Sequence, residues 1–123
     1  MTSDPQPPAE PAPKPPPPAP TIHEAELVPG PSGAVEWGNE MDFQGAVARR
    51  AEGLDIVVRG AEEDENRRLA GRIEAAIGKA TPPRPPHTSR AGPQALPHFQ
   101  QVSPPPVGHS FYELANRKAR KKR

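Results

Sequence analysis

The chain contains no cysteine. Disulfides, thiolate nucleophiles and cysteine-ligated zinc are therefore excluded. Large aromatic side chains are scarce, with one Trp, one Tyr and three Phe among 123 residues. A core built from Trp37, Phe43, Phe99, Phe111 and Tyr112 is small. A body of about 80–90 residues buries only a little over half of its unfolded surface. No apolar run is long enough to span a bilayer. The opening MTSDPQPPAEP lacks the basic and apolar regions of a secretory signal. The expectation is a soluble chain with no readable address and no membrane partner.

What is abundant is proline, 21 residues in all. The prolines fall in two blocks, residues 5–31 and 82–106, and none lies between Ser32 and Thr81. The run PPAEPAPKPPPPAP favours an extended polyproline helix without internal hydrogen bonds. Residues 1–31 thus read as a disordered tether, with docking to an aromatic groove as the sharper alternative. Charge is also uneven. The net charge is +1, yet RKARKKR at 117–123 holds six cations, leaving ten basic against fifteen acidic residues, or −5, elsewhere. Arg117, Lys118, Arg120, Lys121, Lys122 and Arg123 form a basic tail, expected to be solvated or to contact nucleic-acid phosphates.

Between these ends, residues 32–116 carry the patterns of a domain. AVEW reads as a short strand. NEMDFQGAVARRAEG reads as a helix with Asn39 as its cap, Gly53 as its stop, and Phe43, Ala46, Val47 and Ala51 on one face. LDIVV, Leu54 to Val58, is a β-branched strand bounded by glycines. AEEDENRRLAGRIEAAIGKA has acids where a helix start favours them, an apolar stripe of Leu69, Ile73, Ala76 and Ile77, and Gly78 as a stop. TPPRPPHTSRAGP cannot be regular structure. Two short runs follow, LPHFQQV and VGHSFYEL. The predicted class is α+β: a small, mostly antiparallel sheet with two helices on one face.

Those last two runs carry His98 and His109, each near an aromatic and separated by a proline block. Paired about a turn centred between Ser103 and Pro104, the two histidines face each other. A register shift of two leaves them diagonal neighbours on one face, and a shift of one separates them. Glu113 alternates onto the face of His109 and Phe111. Two imidazoles near neutral pH can serve as general base and general acid. That is the chemistry of metal-independent RNA cleavage, which also needs a cation for the phosphorane, supplied by Arg90 or Arg84. His87 lies upstream as a further candidate. A zinc site from His87, His98, His109 and Glu113 is the competing use, although no HxH or HxxxH spacing supports it. Otherwise both histidines are ordinary strand-end residues. No phosphate-binding glycine loop, nucleophile elbow or metalloprotease helix is present, and no cofactor is implied.

The segment ALPHFQ…PPVGHSFYE resembles the C-terminal toxin domains of bacterial polymorphic toxin systems. The likeness covers residues 96–113 in motif and about 34–114 in architecture. It implies a secreted or contact-delivered toxin, most often a nuclease, held in check by an immunity protein. His98 and His109 match the motif histidines. The larger delivery region of such toxins is absent from this sequence. The reading from a different class is a non-enzymatic interaction protein, with a proline-rich arm and a basic nucleic-acid-binding tail.

Overall fold

The computed structural model describes residues 18–85 and 92–123. The elements run β1 (Thr21–Leu27), β2 (Val35–Met41), α1 (Phe43–Ala51), β3 (Ile56–Arg59), α2 (Glu63–Ile77), β4 (His98–Phe99), β5 (Ser110–Tyr112) and β6 (Arg120–Lys121). The six strands form one sheet in the order β4-β5-β3-β1-β2-β6. Pairings are antiparallel except β3 with β5 and β2 with β6. The fold is α+β, as the patterning predicts.

Both helices lie on one face. There Ala46, Ala70 and Ile73 pack against Ile22, Ile56, Val58 and Tyr112, with Phe99 alongside. On the other face Ala25, Val35, Val57 and Phe111 are covered by Leu96 and Ala119, two residues of the irregular segments that cross it. β3 is therefore buried on both sides, which is why Ile56, Val57 and Val58 are all apolar.

Several expectations need correction. The segment 1–31 is not wholly a tether, because Thr21–Leu27 is a strand set between β3 and β2. Its alternation places Ile22 on the helix face and Ala25 on the other. The first helix is capped by Asp42, whose carboxylate accepts Gly45 N–H at 2.7 Å, and not by Asn39. The chain from Val35 stays extended as far as Met41. Helix α2 turns Asn66, Ala70, Ile73 and Glu74 inward. Ala76 of the expected stripe is exposed. The tail is not free either. Arg120 and Lys121 pair with Glu36 and Trp37, Lys122 meets Glu26 at 2.8 Å, and Arg117 donates to Ala95 O at 3.0 Å. Among the described residues, no helix is long and apolar enough to cross a membrane.

Candidate active site

β4 and β5 pair with His98 opposite Phe111 and Phe99 opposite Ser110. This register is two residues away from the one that would set His98 against His109. Parity survives such a shift, so the two histidines are diagonal neighbours on one face. Their rings meet edge to face with centroids 4.7 Å apart. Phe111 lies against both, at 5.6 Å from His98 and 5.1 Å from His109. A cavity of about 250 Å³ opens on the pair, walled by Leu27 at the end of β1, by Val28, Gly30 and Gly33 from the β1–β2 connection and by Leu96.

The two rings are held differently. His98 Nε2 donates to Gln100 Oε1 at 3.2 Å, leaving the lone pair on Nδ1. That atom is buried and has no hydrogen-bond partner among the described residues. Burial, and then the neighbouring charge of His109, hold the His98 pKa below its ordinary 6.5. His109 is tied to Asp55, whose Oδ1 accepts the backbone N–H at 2.7 Å and Nδ1–H at 3.3 Å. A carboxylate on Nδ1 fixes the tautomer, places the lone pair of the neutral ring on Nε2, and would give a protonated ring a counter-charge. About a third of the His109 side chain is exposed.

Beneath His109 lies a buried polar network. Arg50 donates to Glu74 through Nε and Nη2, both at 3.0 Å, and through Nη1 to Leu54 O and Val107 O at 3.0 and 2.9 Å. Glu74 also accepts from Ser110 Oγ at 3.0 Å and Gln101 Nε2 at 2.6 Å. The Arg50 and Glu74 side chains are 0% exposed. All three Arg50 nitrogens and both Glu74 oxygens are hydrogen-bonded, so the network fixes the segment that carries His109 to both helices.

Gly108 makes this approach possible. Its φ is +103°, and a Cβ there would lie 2.6 Å from Arg50 Nη1 and 3.0 Å from Asp55 Oδ1. Gly108→Ala is therefore expected to cost roughly 1–3 kcal/mol from backbone strain, with further loss from the crowded guanidinium. A urea titration checks it. An unchanged midpoint would mean that the loop relaxes freely.

The other sequence candidates are placed apart. Glu113 does share the sheet face of His109, but four residues further along it meets Arg59 at 3.1 Å and accepts Ala119 N–H at 2.8 Å. It does not join the histidines. Arg84 is bridged to His98 through backbone hydrogen bonds, and its charge is felt at the His98 ring. His87 and Arg90 lie outside the described residues, and so does any zinc site that needs His87. Among the described residues no three His, Asp or Glu side chains gather as a metal site. Asp55 and Gln100 escaped the sequence reading. Asp55 stands 54 positions from its histidine, and no local pattern joins residues so distant. His23, the remaining histidine, is buried and satisfied. Its Nδ1 contacts Gly38 O at 3.1 Å and its Nε2 contacts Thr21 Oγ1 at 2.9 Å. No family model, curated protein or solved structure matches this chain.

Proposed function

We propose that this protein is a metal-independent ribonuclease of the bacterial toxin type, with His98 and His109 as its acid–base pair. The observation that carries this reading is the meeting of two differently held imidazoles, 4.7 Å apart, on one cavity. Pairs of titratable groups in contrasting environments are the usual mark of an acid and a base at work. His98, disfavoured as a cation, is the base. It removes the 2′-hydroxyl proton as the 2′-oxygen attacks phosphorus. His109, backed by Asp55, is the acid. It protonates the 5′-oxygen as the P–O5′ bond breaks. The products are a 2′,3′-cyclic phosphate and a free 5′-hydroxyl. Arg84 supplies positive charge beside His98 for the phosphorane.

The resemblance to polymorphic toxin domains supports the same class and adds an immunity protein as the expected partner. An interaction protein, by contrast, would not depend on this pair. The direct test is cleavage of single-stranded RNA by the purified chain, followed across pH in the presence of EDTA. Because burial lowers the His98 pKa, the base should stay active to a pH below the ordinary 6.5. Activity should then fall as pH drops further and His98 is protonated. The fold answers in the same window. Below 6.5 the unfolded chain binds the His98 proton more readily than the folded one, so stability falls as pH falls. An acid limb at or above 6.5, or one that ignores His98→Ala, would remove His98 from the base role.

A further inference from the structure

The face that carries the histidines holds a second constellation at its other end. Arg59 leaves β3 and reaches over β1, placing its guanidinium carbon 4.1 Å from the centre of the Trp37 ring. Its Nε donates to Glu113 Oε2 at 3.1 Å. The guanidinium is thereby fixed in plane by the indole and in direction by the carboxylate. Its Nη1 and Nη2 make no hydrogen bond among the described residues, and 29% of the side chain is exposed. Arg50 shows what a purely structural arginine looks like here: fully buried, with every nitrogen engaged. Arg59 is held by one nitrogen and presents the other two.

Arg59 lines an open groove of about 450 Å³ with Thr21, Gly60 and the exposed Lys118. Lys121 adds its charge 5.9 Å from the same indole. Glu113, the acid of this groove, is already committed to Arg59 and to Ala119 N–H. The neighbouring cavity along α2 is lined by three acids, Glu62, Asp64 and Glu65, against one cation, Arg68, so a polyanion is favoured on the Lys118 side. A planar fork with two idle donors, beside an ammonium, matches the oxygens of a phosphate.

We infer that the Arg59–Lys118 groove is a phosphate subsite for single-stranded RNA, gripping the strand away from the bond cut at the histidines. The substrate class rests on the ribonuclease reading above, while the groove itself stands on its own geometry. The probe is a fluorescent 2′-O-methyl oligonucleotide of about 10 residues, a length suited to single-strand grooves, which cannot undergo 2′-hydroxyl attack. Its binding to the full chain is followed by anisotropy across salt concentrations. Lys118→Gln, at an exposed position, should weaken binding several-fold and reduce the log–log salt slope by about 0.7, one phosphate contact. Arg59→Lys retains the charge and loses the fork, so the slope should hold while affinity falls about tenfold. Binding and slope unchanged in both variants, or no binding by the unaltered chain, would overturn the subsite. Cleavage by His98→Ala and His109→Ala, measured in parallel, separates the two readings. If those variants cleave normally while Lys118→Gln loses affinity, the catalytic reading fails and the groove stands.

Discussion

Glu74→Gln is expected to lower stability by about 3–5 kcal/mol, the cost of leaving one member of a buried ion pair uncompensated. The reason lies in what surrounds the carboxylate. Glu74 accepts from Arg50 twice, from Ser110 and from Gln101. An amide at this position offers one oxygen where four donors converge and adds an N–H₂ that faces guanidinium. Arg50 keeps its charge and has no route to water. A small domain has only about 5–15 kcal/mol in total, so the variant should be largely unfolded in mild urea. A shift of the urea midpoint measures the effect. Replacing Arg50 and Glu74 together by methionine should recover part of the loss, because no charge is then stranded. Ser110 and Gln101 would still lack their acceptor. A Glu74→Gln protein with an unshifted midpoint would show that this network contributes nothing to stability.

His98→Ala and His109→Ala should each reduce RNA cleavage by on the order of 10²-fold or more, the usual worth of a positioned acid or base. Neither change should unfold the chain, since His98 is only half-buried and a third of the His109 side chain is exposed. The double variant should fall little below the weaker single one, because an acid–base pair acts as a unit. Urea midpoints close to that of the parent, measured on the same samples, keep the comparison clean. Should both single variants cleave at the parent rate, β4 and β5 are a plain hairpin and the catalytic assignment is wrong. Should EDTA abolish cleavage by the parent, the histidines serve a metal.

The histidine pair was legible for a simple reason. Side chains alternate with period two, so a two-residue error in register left His98 and His109 on the same face. The strand β3 was legible because a fully buried strand must be apolar throughout. Strand β1 was not. It follows a proline run, and TIHEAEL carries two glutamates, Glu24 and Glu26. Only the pairing with β2 and β3 reveals its place, and pairing is a long-range property that local composition does not record. Helix α2 misled for the opposite reason. An apolar stripe marks only part of its inward face, because Asn66 and Glu74 also turn inward, where Asn66 Nδ2 donates to Glu113 O and Glu74 accepts from Ser110 Oγ. Glu113 was assigned by face alone, which fixes direction and says nothing of distance along the strand.

The placement of β1 makes the protein separable into two pieces. β1 lies between β3 and β2, yet it joins the other strands covalently only through the Val28–Ala34 connection. A cut in that connection would leave a short peptide held on both edges by backbone hydrogen bonds, clipped into a split sheet like a missing slat. The same connection supplies Val28, Gly30 and Gly33 to the wall over the histidines. A nicked molecule would therefore behave as a two-component protein, with the wall over the histidines complete only while its smaller fragment is bound. Among the described residues the sheet begins at Thr21, directly after Pro20. The sheet thus takes in Thr21–Leu27, ahead of Ser32, where the composition changes.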